Sequence, residues 1–90
     1  MNVISFLKAE LDKHKTEVFF SLDKRLTVRD IILDALVKNE VNADYTTSLD
    51  NEVVTIEDDN GKHKPIHFST RLNKTLEVLC NGKAFYRFAE

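Results

Sequence analysis

The two glycines of this chain each follow an asparagine, at Asn60-Gly61 and Asn81-Gly82. Glycine adopts positive φ angles without steric cost, and asparagine tolerates them better than most residues. We therefore expect the chain to reverse or an element to end at each pair. Together the two pairs frame the C-terminal half of the chain.

The composition fits one small domain spanning residues 1–90, with 42% hydrophobic and 31% charged residues. A domain of this size buries only about two thirds of its unfolded surface, so either a monomer or a homodimer is expected. Thirteen Lys and Arg stand against fifteen Asp and Glu, which gives a formal net charge of −2. General attraction to nucleic acid or to an anionic membrane is therefore not implied, whereas a local basic patch is compatible with these numbers.

The single cysteine, Cys80, has no partner for an internal disulfide. The apolar residues near the N-terminus are interrupted by Lys8 and Glu10, so we expect neither a signal peptide nor a membrane span. A cytoplasmic protein without a cofactor is the resulting expectation.

Hydrophobic spacing predicts the elements of the N-terminal half. Residues 3–14 and 28–39 carry apolar side chains three and four positions apart and are predicted to be helices, the second capped by Thr27 with Asp30 in the capping box. The β-prone run at 16–22 predicts a strand. Residues 42–51 show no period and are predicted to be a loop, which makes them a candidate binding segment.

In the C-terminal half, residues 52–57 and the stretch through Ile66 and Phe68 predict a β-hairpin around Asn60-Gly61. Residues 69–81 are ambiguous: a helix ending at Gly82 is favoured, and the alternative is a strand that makes Asn81-Gly82 a second hairpin turn. The fold class is therefore a small single α+β domain with two or three helices and an antiparallel sheet of about four strands. After the first helix, the favoured order is the split βαβ arrangement of ferredoxin-like domains.

Two stretches resemble RNA-recognition-motif domains, which share this order. The run 18–22 looks like their aromatic first strand, and 76–83 looks like the end of their second helix. The resemblance implies a sheet that stacks nucleobases. The third strand departs from the family pattern, because 64–71 keeps only Lys64 and Phe68 of the basic and aromatic positions.

No catalytic or metal-binding pattern is found. His63, His67 and Cys80 offer only three ligands at a spacing that matches no standard zinc site. Cys80 lies on a predicted apolar stripe, which favours a buried inert thiol over a nucleophile. We therefore expect neither a metal nor an enzymatic activity.

The expected function is a small regulatory or adaptor protein that binds another protein. The candidate partner-binding residues are Tyr45, Tyr86, Phe85 and Arg87. The alternative is a nucleic-acid-binding regulator, either RNA-recognition-like or winged-helix-like with the Asn60-Gly61 hairpin as the wing. Its candidate residues are Arg71, Lys74, Lys83 and Arg87. A membrane is not an expected partner.

Overall fold

The computed structural model describes residues 3–41, 43–58 and 64–88, leaving aside the side chains of residues 3, 4 and 58. These residues form three helices followed by five strands, with the helices packed on one side of the sheet. The helices are α1 (Val3–Lys13), α2 (Lys15–Phe20) and α3 (Lys24–Lys38). The strands are β1 (Ala43–Thr47), β2 (Val53–Asp58), β3 (Ile66–Ser69), β4 (Glu77–Cys80) and β5 (Lys83–Arg87).

The first helix is where the sequence predicts it, but the strand predicted at 16–22 is wrong. In its place α2 continues the helical course after a turn at His14. Leu7, Leu11 and Val18 are all buried, and their spacing of four and seven residues lies along one helical stripe. Burial of Val18 on this stripe overrides the β-propensity of the Val18–Phe20 run.

The helix predicted at 28–39 is present as α3 and begins four residues earlier than predicted. Its N-cap is Asp23, whose carboxylate accepts a hydrogen bond from the Arg25 N–H at 3.1 Å. Thr27, predicted to be the cap, lies inside the helix and donates its hydroxyl to the Asp23 carbonyl. The expected stripe is confirmed, since its members are all buried: Val28, Ile31, Ile32, Ala35 and Leu36.

The five strands pair antiparallel in sequence order, from β1 at one edge to β5 at the other. The loop predicted at 42–51 is therefore wrong over residues 43–47, which form β1. Tyr45 pairs with Ile56 of β2, and exposure alternates along β1 as expected for a strand with one packed side.

The hairpin of β2 and β3 is confirmed, with Val54 paired with Phe68. Its Asn60-Gly61 turn lies outside the described residues. The helix favoured at 69–81 is wrong, and the alternative meander is present. Asn81 and Gly82 have φ angles of 51° and 82°, and two positive φ angles are what a two-residue hairpin turn of type I′ requires.

The β-α-β-β-α-β order is not found. All three described helices precede the sheet, and the sheet has five strands instead of about four. The observed architecture is α+β, without the split βαβ arrangement and without the strand order on which the resemblance to RNA-recognition motifs depends.

One hydrophobic core lies between the helices and the sheet. Phe68 at the middle of the sheet is fully buried and packs edge-on against Phe85, with ring centroids 5.1 Å apart. The core residues are Leu7, Leu11, Val18, Val28, Ile31, Ile32, Ala35, Leu36, Val54, Ile56, Phe68, Val78 and Phe88. The opposite side of the sheet carries mostly polar side chains, such as Thr55 and His67.

Candidate functional site: a leucine-lined groove with two arginines

The connection between α2 and α3 holds two helix ends close together. Lys24 donates its ammonium to the carbonyls of Phe19 and Ser21, both at 3.3 Å, and so caps the C-terminal end of α2. Asp23 caps the N-terminal end of α3. Because residues 21–23 must link the two caps, the side chains beside them project outward: Phe20 is 85% exposed and Leu22 is completely exposed.

The loop between β3 and β4 is fixed opposite this connection. Thr70 is buried there. Its N–H donates to the Glu52 carbonyl at 2.8 Å, and its hydroxyl donates to the Asn51 carbonyl. Further along the loop, the Asn73 side-chain oxygen accepts the N–H groups of Thr75 and Glu77. These bonds order the segment that carries Leu72 and Leu76.

Leu76 has a left-handed backbone conformation, with a φ of 61°. Such a conformation costs a bulky residue roughly 1–2 kcal/mol relative to right-handed backbone. The surrounding bonds compensate, since the Leu76 N–H donates to the Asn73 carbonyl at 3.0 Å and the Leu76 carbonyl accepts from Phe88 at 2.8 Å. The leucine side chain is thereby held 37% exposed beside the connection between α2 and α3.

A shallow, open groove of about 650 Å³ lies between the connection and the loop. We call it the Leu22 groove, and it is lined by Leu22, Leu72 and Leu76 together with Lys24, Arg25 and Arg71. Asp23 is the carboxylate in this lining. Four charged side chains and three leucines thus share one concave surface, which offers both polar and apolar contacts to a ligand.

Glu52 connects the two arginines of the groove. One of its carboxylate oxygens, Oε1, lies 3.5 Å from Arg25 Nη1 and 3.3 Å from Arg71 Nη1. The pKa of Asp23 lies below its usual value. Desolvation acts to raise it, but a hydrogen bond from the Arg25 side chain, hydrogen bonds from backbone N–H groups and the positive charge of Arg25 together lower it. Asp23 is therefore an anion at neutral pH, and both arginines have a carboxylate nearby.

A second, smaller pocket of about 360 Å³ lies between the helices. His14 spans it, with Nδ1 at 2.8 Å from Glu17 and Nε2 at 3.5 Å from Glu10. Lys38 reaches the same Glu10 at 3.5 Å. Polar side chains in contact with one another account for the polar character of this pocket.

The sequence-predicted partner residues are not brought together. Tyr45 lies on β1 and Tyr86 on β5, which are the two edge strands of the sheet. Four strand spacings of about 4.8 Å place them roughly 19 Å apart. Tyr45 packs against the core, opposite Ile56.

A bulge between β4 and β5 changes the expected directions of Phe85 and Tyr86. Strict alternation puts Phe85 with Arg87 on one side, but the register shifts at Val78 and Leu79. Phe85 consequently packs on Phe68 with the Lys8 ammonium 5.7 Å from its ring centroid, while the Tyr86 hydroxyl donates to Asp12 of α1 at 2.8 Å. Both aromatic side chains thus face α1.

The basic residues of the nucleic-acid alternative are divided between the two ends of the sheet. Arg71 and Lys74 lie in the β3–β4 loop, and Arg87 is at the same end, paired across the strands with Glu77. Lys83 follows the Asn81-Gly82 turn at the opposite end, one strand length of about 13 Å away. Arg71 is the one of the four that lines the Leu22 groove.

Cys80 and His67 do not form a reactive or metal-binding cluster. Cys80 is half-buried on the helix side of the sheet, and burial raises the pKa of its thiol. His67 is exposed on the other side, with Nδ1 at 3.0 Å from the Thr55 hydroxyl. His63 lies outside the described residues, and within the described ranges no three His, Cys, Asp or Glu side chains are grouped to hold a metal ion.

Sequence reasoning missed the Leu22 groove because its residues were assigned to other elements. The sequence predicts that Leu22 ends a strand and that Leu72 and Leu76 lie in a helix. Asp23 is as good a cap as Thr27, and choosing it would have placed Leu22 in an exposed connection. No sequence signal joins that connection to a loop some fifty residues later.

None of the three helices in the described ranges has the length and apolar character needed to cross a membrane. Neither the protein-family models, nor the curated proteins, nor the solved structures compared with this chain match it.

Proposed function

We propose that this chain is a small non-enzymatic regulatory or adaptor protein that binds another protein through the Leu22 groove and the apolar side chains around it. One observation carries the proposal. Of the six large apolar side chains exposed in the described part of the chain, five belong to the end of the molecule where the groove opens. They are Phe20, Leu22, Leu26, Leu49 and Leu76, and the sixth, Val37, lies near the far end of α3.

The placement of these five residues follows from the fold. Phe20, Leu22 and Leu26 surround the α2–α3 connection, and Leu49 lies in the β1–β2 turn, whose neighbouring Asn51 and Glu52 contact α3 and the β3–β4 loop. Single exposed apolar residues are ordinary on a protein surface, but five of the six at one end of the described fold favour that end as the surface that another molecule covers.

The chemistry of the groove also resembles the centre of a protein–protein interface. Such centres combine large apolar side chains with arginine, and a few of these residues supply most of the binding free energy. Burying apolar area contributes roughly 25 cal/mol per Å², so covering several exposed leucines favours association. Leu22, Leu76 and Arg71 are the residues that we expect to matter most.

Affinity capture with a matched pair of variants tests this function. The tagged full chain, Leu22→Ser and Val37→Ser are each used to capture proteins from a nuclease-treated lysate of the organism that encodes the chain. Val37 is the control because it is 63% exposed but lies about 18 Å along α3 from Arg25. We expect a stoichiometric protein that the unchanged chain and Val37→Ser retain and that Leu22→Ser loses.

Identical captures by all three chains would contradict the proposal. Binding that disappears with nuclease, and is weakened equally by Arg71→Gln and Lys83→Gln, would instead favour the nucleic-acid alternative. Both variants remove one positive charge, but the two residues lie at opposite ends of the sheet, so equal effects indicate attraction by overall charge.

A further inference from the structure

The Leu22 groove carries an excess of positive charge on a molecule whose formal net charge is −2. Its three cations, Lys24, Arg25 and Arg71, stand against two carboxylates, Asp23 in the lining and Glu52 beside it. Lys24 and Asp23 cap helix ends, and Asp23 Oδ1 also lies 3.5 Å from Arg25 Nε. An incoming ligand therefore meets the two guanidinium groups together with the carboxylates paired with them, and Arg71 is the more exposed of the two arginines.

The two arginines already converge on a carboxylate oxygen supplied by the chain itself. Glu52 Oε1 lies between them, but its distances of 3.5 Å and 3.3 Å are longer than the roughly 2.7–2.9 Å of a strong charge-assisted hydrogen bond. A guanidinium has five N–H donors, and the Arg71 side chain is 72% exposed. Beside the carboxylates of Asp23 and Glu52, the pair thus has donors available for a further carboxylate, most of them on Arg71.

The apolar part of the groove lies directly beside these donors. Leu22 comes from the α2–α3 connection and Leu72 and Leu76 from the facing loop, so an inserted side chain would contact leucines from two directions. Leu76 is held there in an unfavourable left-handed conformation in which asparagine or glycine would be less strained. The presence of leucine at position 76 is therefore explained by the position of its side chain in the groove and not by its backbone conformation.

We propose that the Leu22 groove recognises an acidic segment of the partner protein, with an apolar side chain inserted among the three leucines and an adjacent carboxylate bound by Arg25 and Arg71. This inference rests on the protein-binding function proposed above and specifies the partner's chemistry. A second copy of the chain is a poor occupant. Two copies joined groove to groove would bring their arginines together, which places like charges opposite each other.

Selection from a random peptide library tests the recognition of acidic segments. Twelve-residue peptides displayed on phage are selected on the immobilised full chain and counter-selected on Arg71→Gln. We expect the enriched peptides to combine a negative net charge with at least one large apolar residue. Loss of a hydrogen bond to a charged group should make Arg71→Gln and Arg25→Gln each bind a synthetic enriched peptide about tenfold more weakly.

Lys83→Gln is the matched control, since it removes one exposed positive charge away from the groove and should change peptide affinity less than twofold. Thermal unfolding of each variant shows that weaker binding does not come from loss of the fold. Peptides without an acidic excess, or an affinity that Arg71→Gln and Arg25→Gln leave unchanged, would overturn the proposal. A concentration-dependent dimer that Leu22→Ser dissociates would also overturn it.

The two proposals fail in distinguishable ways. A captured protein that depends on Leu22 but binds Arg71→Gln and Arg25→Gln as tightly as the unchanged chain leaves the binding function standing and removes acidic recognition. Absence of any Leu22-dependent partner removes the function itself.

Discussion

Tyr86 ties the last strand to the first helix through its hydroxyl, which donates to Asp12 Oδ1 at 2.8 Å. Its ring also packs edge-on against Phe88, with centroids 4.8 Å apart. Desolvation, followed by the hydrogen bond and the charge of Asp12, raises the pKa of Tyr86 to about 12. A side chain suggested by its sequence as a partner contact is therefore engaged within the molecule.

Titration of Tyr86 measures this engagement. Because its folded pKa of about 12 exceeds the value of about 10 in an unfolded chain, its stabilising contribution is complete below pH 10 and is lost as the pH rises toward 12. In Tyr45→Phe, where Tyr86 is the remaining tyrosine, phenolate absorbance after a rapid pH jump should have its midpoint near 12. Adding Asp12→Asn should lower that midpoint. A midpoint near 10 in the Tyr45→Phe variant that retains Asp12 would show that the contact between Tyr86 and Asp12 is absent.

At the scale of elements, the C-terminal end of α3 is closed by two backbone bonds. Val41 donates to the Leu36 carbonyl and Glu40 to the Val37 carbonyl, both at 3.0 Å, which is the Schellman pattern. Glycine usually occupies the left-handed position of this motif, but here it is Glu40, with a φ of 52°. The end of α3 is therefore strained at one residue.

Glu40→Gly should stabilise the protein. Relief of a strain of roughly 1–2 kcal/mol, less the 0.5–1 kcal/mol entropic cost of glycine, leaves a gain of about 0.5–1 kcal/mol in the free energy of unfolding. For a domain of this size that corresponds to an increase in Tm of several degrees. Lys38→Gly, two residues earlier and within the helix, should lower stability by a similar amount. If urea denaturation showed that Glu40→Gly and Lys38→Gly both destabilise the protein, the left-handed conformation of Glu40 at the end of α3 would be contradicted.

Hydrophobic spacing and turn residues determine which helices and strands could be predicted from the sequence. The buried stripe of α3 and the hairpin of β2 and β3 follow from hydrophobic periodicity, because the apolar residues that recur at the helical or the strand period all face the core. For 69–81 the periodicity fits both helix and strand. The deciding feature is Asn81-Gly82, since a hairpin turn uses positive φ at both residues and a helix end needs only one. Giving more weight to Asn81 would have identified the meander.

Neither α2 nor the groove can be obtained in this way. Val18–Phe20 is β-prone by composition, and α2 exists because Val18 is buried on the stripe that α1 begins. The groove depends on a long-range contact, the bonding of Thr70 to residues 51 and 52, which sets the β3–β4 loop opposite α3. Sequence periodicity carries no information about such a contact.

The whole molecule separates its apolar residues into a buried core and an exposed cluster. Phe68, at the centre of the sheet, has no exposed surface, whereas Phe20, at the end of α2, is 85% exposed. The two residues have the same side chain, so their contributions to stability differ only through their environments. A surface that binds a partner must be one whose residues the fold does not itself require.

Phenylalanine-to-alanine variants at these two positions test that separation. Phe68→Ala should lower the free energy of unfolding by about 3–5 kcal/mol, a large part of the roughly 5–15 kcal/mol expected for a small domain. Phe20→Ala should change it by no more than about 0.5 kcal/mol, because the ring already faces solvent. A loss above 1 kcal/mol at Phe20, measured by urea denaturation, would mean that its ring packs on the core. In that case the exposed cluster would be part of the fold and could not be assigned to a partner.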